Sequence, residues 1–217
     1  MNLRRSLASF FVPAALAGVF WFSAGCSIVP EPTVDPTRYY VLTAPSAAIS
    51  NAAAATAPAA DALVLGLRNV TIAPYLNGKA MIVRNAANEI DYEDFARWAE
   101  PLQTGVNRFL ALELTRSARV KRVFTQPYPF DAERTYDVSI EVLRCEGARK
   151  AGGATVASFE ARIEITEAKP GGAIVARTFF TAPETAWDGR NFSALAQALS
   201  EGVAALGREV VAKLPAK

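Results

Sequence analysis

The sequence predicts an α+β protein: a mixed, largely antiparallel sheet with two main helices packed on one face. Three observations carry this reading. Several segments alternate apolar and polar residues with the period of a half-buried strand, and two carry apolar residues three and four apart, as a one-sided helix does. The order along the chain is strands, helix, four strands, helix. One-sided strands and helices bury their apolar sides on each other, which gives a sheet with both helices on one face.

The first strand is read at 38–45, RYYVLTAP, where aromatic and β-branched residues are closed by Pro45. Residues 46–61, SAAISNAAAATAPAAD, form an alanine-rich, almost uncharged insertion of low complexity. In 62–76, Leu63, Leu65, Leu67, Val70 and Ile72 mark one strand, broken near Pro74. A short strand at 80–84 follows the turn residues Asn77 and Gly78. A helix is expected next, with Pro101 in its first turn and Leu102, Val106, Phe109, Leu110 and Leu114 near one face.

The stretch ARVKRVFTQ gives a strand stopped by Pro127 and Pro129. Tyr136, Val138, Ile140 and Val142 share one face of the next strand, and Phe159, Ala161, Ile163 and Ile165 share one face of its successor. AIVARTFFT is the last of the four. The links EGARKAGGA and EAKPGGA lie between strands, so their Gly-Gly pairs are read as hairpin turns, not phosphate cradles. The chain closes with a helix, capped by Asn191, in which Phe192, Leu195, Leu199, Val203, Leu206 and Val210 form the apolar stripe.

The first 25 residues are a different kind of segment. Arg4 and Arg5 give a positive start, residues 6–25 hold no charge, and small residues end the run. These are the three parts of an export signal. Cys26 follows Ala24-Gly25 and resembles the lipidated cysteine of bacterial lipoproteins, with Ser23 standing where leucine is usual. Lipidation at Cys26 is therefore expected. Each buried CH₂ contributes about 0.8 kcal/mol, so a cysteine carrying several chains anchors lastingly. Residues 26–37, with Pro30, Pro32 and Pro36, are read as an extended spacer, and 38–217 as a single domain. Ser27, where an aspartate would signal inner-membrane retention, points to the outer membrane.

Without residues 1–25 the chain holds 21 basic and 21 acidic residues. That balance offers no basic excess for nucleic acid. The chain has no histidine, which removes Ser-His and Cys-His nucleophile pairs and most zinc sites. Cys145, in a strand context, is read as a buried inert thiol. No catalytic residue, metal ligand or cofactor is assigned.

The most distinctive run is 69–114, which contains Pro74-Tyr75-Leu76, Val83-Arg84 and Arg97-Trp98-Ala99-Glu100-Pro101-Leu102. With Arg38-Tyr39-Tyr40 and the cysteine signal, it resembles the ABC-type transport auxiliary lipoprotein family. The sequence departs from the family after Leu76, where Asn77-Gly78-Lys79-Ala80 replaces an acidic-arginine-proline-glutamine run. The resemblance implies an outer-membrane lipoprotein facing the periplasm, a non-catalytic docking subunit of an MCE-type lipid transport system. It implies as partners an MCE-domain protein, with its ABC transporter or integral membrane partner, and outer-membrane phospholipid through the acyl anchor. It also implies a homo-oligomeric ring.

Tyr75, Leu76, Lys79, Arg84, Arg97 and Trp98 are the candidate partner contacts. Tyr75 and Leu76 are expected at an exposed turn. Three of them have a duller reading: Trp98 as a core aromatic, Arg97 with Glu100 as a local ion pair, Arg84 paired with Asp91 or Glu93. Two rival functions stand beside docking. One is a pilotin-like assembly lipoprotein. The other is an envelope hydrolase using carboxylates such as Glu93, Asp94, Glu100, Glu160 and Glu164.

Overall fold

The computed structural model describes residues 34–44 and 58–215. The expected export signal, Cys26, most of the spacer and most of the 46–61 insertion lie outside the described residues. The chain divides at Pro36/Thr37, and every element below belongs to the second unit.

Among the described residues, ten strands form one mixed sheet. In order they are β1 (Arg38–Tyr40), β2 (Leu63–Leu67), β3 (Thr71–Ile72), β4 (Ala80–Ala86), β5 (Glu89–Trp98), β6 (Val120–Thr125), β7 (Tyr136–Arg149), β8 (Thr155–Glu167), β9 (Ile174–Thr181) and β10 (Thr185–Trp187). The described residues also hold two helices, α1 (Leu102–Thr115) and α2 (Phe192–Lys213), and a 3₁₀ turn at Pro74–Leu76.

The 14-residue β7 is the spine. Along one side it pairs antiparallel with β8, and β8 in turn pairs antiparallel with β9 and β10. Three short parallel partners share its other side: β2, then β3, then β4. Beyond them β6 joins β2 in parallel, β5 joins β4 antiparallel, and β1 joins β5 in parallel.

The alternation read in the sequence sets the register of the β7–β8 ladder. Val138 stands opposite Ile165, Ile140 opposite Ile163 and Val142 opposite Ala161, and all six are buried. A register shift between Val142 and Arg144 then inserts one extra residue. Strict alternation would have carried Glu146 onto the Val142 face. The bulge instead aligns Cys145 with Phe159 on that face and leaves Glu146 on the other.

The expected helix stripes are the buried ones. Leu102, Val106, Phe109, Leu110 and Leu114 of α1 are buried, as are Leu195, Leu199, Val203, Leu206 and Val210 of α2. The helices pack on each other, α2 also against β8 and α1 against β6. Gly202 permits the close approach of α2: a Cβ there would sit 3.0 Å from Cβ of Phe159. Asn191 Oδ1 accepts from the Ser193 and Ala194 amides, the cap expected from the sequence. At the other end the Arg119 guanidinium donates to the carbonyls of Val211, Leu214 and Pro215. Phe192 at the start of α2 is half-buried, its ring 5.4 Å from Trp187 and 6.5 Å from Tyr40. This contact fixes the inner side of β1.

Several element readings need correction. The first strand ends at Tyr40, because among the described residues its partner is the last three residues of β5. The strand read across 63–72 is two. After β2 the chain steps outward, the Asn69 amide donating to Gln126 Oε1, before β3 meets β7 at Glu141 and Val142. Pro101 caps α1 from outside its first turn. Two strands were not foreseen, β5 and β10. The two Gly-Gly links are hairpin turns as expected, each with glycine at positive φ (Gly152, Gly153, Gly171).

Candidate functional site

Glu146 is the centre of a buried polar cluster on the bulged side of β7. Its carboxylate is fully buried and accepts from two sides. Arg84 of β4 donates through Nε to Oε1 at 2.5 Å and through Nη2 to Oε2 at 3.2 Å, while the Tyr75 hydroxyl donates to Oε2 at 2.9 Å. The Arg84 guanidinium carbon also lies 5.6 Å from the Tyr75 ring centre. Tyr92 of β5 donates its hydroxyl to the Tyr75 carbonyl at 3.1 Å. The Pro74–Leu76 turn is thus strapped to the sheet from both sides.

This geometry redefines the sequence candidates. Leu76 is a core residue, only 2% exposed, so the apolar pair at this turn is folded inward and not displayed. The Asn77-Gly78 turn that follows the pair predicts an exposed tip. The tip is real, but it consists of Asn77, Gly78 and Lys79, all exposed. Trp98 is 4% exposed and belongs to the core. Arg84 pairs with Glu146, not with Asp91 or Glu93. Asp91 instead accepts from Asn85 Nδ2 at 2.6 Å. Arg97 does not pair with Glu100. Its Nε donates to the Asp94 carbonyl, and Glu100 is bound by Arg108 at 2.6 Å. Lys79 and Arg97 are the exposed members of the original set.

The remaining chemistry is also committed. Arg144 pairs with Glu160 at 3.5 Å and Arg177 with Glu164 at 2.7 Å, so two carboxylates considered for acid–base work are members of cross-strand ion pairs. The Glu93 carboxyl is pushed up by burial and by the charges of Asp91 and Asp94. The Cys145 thiol is buried, and burial together with the Glu146 charge pushes its pKa up, the opposite of an activated thiol. A cleft of about 390 Å³ on the outer face is lined by Arg68, Asn69, Gln126, Glu141, Arg162 and Glu164. Arg162 and Glu141 already bind each other across it at 2.8 Å.

A second polar cluster escaped the sequence reading. Asp137, buried, accepts from Arg134 Nε at 2.8 Å and lies 3.6 Å from Arg68 Nη2. A Cβ at residue 66 would fall 2.3 Å from its Oδ1, which is why β2 carries Gly66 there. Arg134 stacks 4.0 Å over the Tyr128 ring. Burial, and then the Asp137 charge, raise the Tyr128 hydroxyl to about 12, above the ordinary value near 10. Tyr75 is raised too, first by burial and then by Glu146. Both shifts favour the neutral phenol in the folded state. Their stabilisation is therefore complete below pH ~10 and is lost as the pH rises through the folded values. Ultraviolet titration should show a late-ionising component that Tyr128→Phe reduces. Ionisation of all the tyrosines near pH ~10 in the folded protein would contradict this.

Fold and site together define an α+β scaffold whose buried charges hold strands and turns in place. The particular family follows from sequence comparison. A family model for the ABC-type transport auxiliary lipoprotein component matches residues 40–211, and the chain belongs to that family. The resemblance read from the RYY and RWAEPL runs is therefore correct. No curated protein was found to match the chain. Among solved structures, the fold is similar to protein XCC0632 from Xanthomonas campestris, a DUF330 protein, with TM-score 0.64 and 17% identity, covering 81% of this chain and 93% of that one. It is also similar to an uncharacterized protein with TM-score 0.56 and 17% identity, covering 70% of this chain and 92% of that one. The chain is thus an auxiliary lipoprotein of ABC-type transport. Among the described residues no helix is long and apolar enough to cross a membrane.

Proposed function

We propose that the protein is a lipid-anchored subunit of the outer membrane that faces the periplasm. It would serve as the non-catalytic docking component of an MCE-type lipid transport system, assembled as a homo-oligomer. The observation that carries this reading is the family match over residues 40–211, joined to a lipoprotein signal ending at Cys26. The spending of Glu100, Glu160 and Glu164 on ion pairs favours a docking subunit over a hydrolase. Lys79, at the exposed Asn77-Gly78 tip, is the partner contact proposed from the original set. Tyr75 and Arg84 act indirectly, by holding that tip in place.

Two measurements test the reading. Metabolic labelling with a fatty-acid analogue should mark the wild type and not Cys26→Ser, and the labelled protein should sediment with outer-membrane fractions. Equal labelling of both would remove Cys26 as the anchor. Affinity purification of the acylated chain from native envelope should recover an MCE-domain protein, and Lys79→Glu should reduce that recovery while leaving the melting temperature unchanged. Efficient acylation with no such protein recovered would favour the pilotin-like alternative.

A further inference from the structure

The two ends of the sheet differ in how their charges are used. On the β7–β8–β9 face, Arg144, Arg162 and Arg177 are each paired with a glutamate. At the β1–β5 edge, Arg38 and Arg97 are exposed, and neither forms an ion pair among the described residues. The same edge displays large aromatic side chains: Tyr39 is 62% exposed and Phe95 57%. Tyr39 stands beside Arg97 in the parallel β1–β5 register. Phe95 lies two residues before Arg97, on the same face of β5, while Ala96 and Trp98 turn into the core. Val41, two residues beyond Tyr39, is also exposed. Among the described residues β1 pairs with β5 alone, which puts it at the end of the sheet path.

Aromatic rings beside arginines that no carboxylate neutralises suit the headgroup layer of a bilayer, where an apolar body can be buried while a polar tip or cation meets phosphate. The position of this edge in the chain supplies the second argument. Eleven residues lie between Cys26 and Arg38, and such a length spans at most about 40 Å when fully extended. β1 is thus the strand most directly tethered to the acyl chains. Glu93 and Asp94, just before Phe95, match a surface dominated by zwitterionic headgroups better than a strongly anionic one.

We propose that the β1–β5 edge is a membrane-contact surface, Tyr39 and Phe95 settling among phospholipid headgroups and Arg38 and Arg97 meeting their phosphates. This rests on Cys26 being the anchor. It adds an oriented contact that holds one end of the sheet against the bilayer and leaves the β7–β8–β9 face toward the periplasm.

The test uses full-length acylated protein in vesicles of phosphatidylethanolamine with a minor share of phosphatidylglycerol and a brominated lipid as quencher. Tyr39→Trp, Phe95→Trp and Phe179→Trp are compared with wild type. Phe179 is 69% exposed on β9 and reports the far edge. Emission from Trp at 39 and at 95 should shift to shorter wavelength and lose intensity with brominated lipid, whereas Trp at 179 should add no quenching. If the position-39 variant fails to melt like wild type, the position-95 variant carries the test. Equal quenching at 95 and 179, or none at 95 in protein whose Cys26 is acylated, would overturn the proposal while leaving the anchor intact. Disulfide trapping between copies through Phe95→Cys in membrane-free detergent would give this edge to a second copy and also overturn it. Absence of acyl label on Cys26 would remove the anchor reading and the proposal together.

Discussion

Leu199→Asp is expected to abolish the cooperative thermal transition. Leu199 lies mid-way along α2, on the stripe that faces the sheet and α1, and is 1% exposed. The substitution removes a buried side chain, a loss of about 2–5 kcal/mol for leucine truncations, and places a carboxylate in the apolar core. An unpaired buried charge costs several kcal/mol more, or forces the carboxylate to take up a proton. The sum approaches the whole stability of an ordinary domain, about 5–15 kcal/mol. Glu201→Ala, two residues away on the exposed face, separates this effect from helix propensity and should melt within a few degrees of wild type. A Leu199→Asp variant that melts near wild type would show that the stripe is not what holds α2 to the sheet.

Elements whose burial was one-sided and whose periodicity was unbroken were legible in the sequence. Both helix stripes and the shared faces of β7 up to Val142 and of β8 follow from spacing, because one wet and one dry face imprint their period on the residue types, and the Asn191 cap follows from its residue type. β5 was not legible. Its sequence, EIDYEDFARW, holds four acidic residues, which strands disfavour. Its pairing also skips: Ile82 faces Tyr92 while Ala80 faces Arg97, so the strand is irregular between them and alternation is left only over 95–98. β10 is three residues long, too short to carry a pattern.

The candidate site failed in a related way. Arg84, Tyr75 and Glu146 meet through a 62-residue separation between β4 and β7, and local spacing favoured nearer carboxylates. The bulge at Val142–Arg144 decides which face Glu146 occupies, and a single inserted residue leaves no trace in composition. Leu76 was misplaced because Asn-Gly reports a turn but not which flanking side chains fold back under it.

Disrupting the Arg84–Glu146 pair should cost nearly as much as disrupting the core. The Glu146 side chain has no exposure and that of Arg84 17%, so solvent screens the pair little. Removing one partner of such a pair costs about 3–5 kcal/mol, chiefly because the other charge stays buried. Arg84→Ala should be the more damaging change. It leaves the Glu146 carboxylate with the Tyr75 hydroxyl as its remaining side-chain donor, whereas after Glu146→Ala the Arg84 guanidinium keeps the Ala87 carbonyl and some access to water. Arg84→Met with Glu146→Leu should recover much of the loss, since a well-packed apolar pair can replace a buried ion pair at little net cost. Urea melts of wild type, both alanine variants and the Met/Leu double variant would measure this ordering. Equal costs for the two alanine variants, or a Met/Leu protein no more stable than Arg84→Ala, would show that the cluster contributes packing and not charge pairing. The pair also specifies register. Val83 and Arg84 meet Gly147 and Ala148 over two positions only, and a slip of one residue would turn Arg84 to the opposite face of β4, away from Glu146. The Met/Leu protein should therefore regain stability while its β4 amides near residues 82–84 exchange with solvent faster than in wild type, because the contact that forbids the slipped pairing has gone.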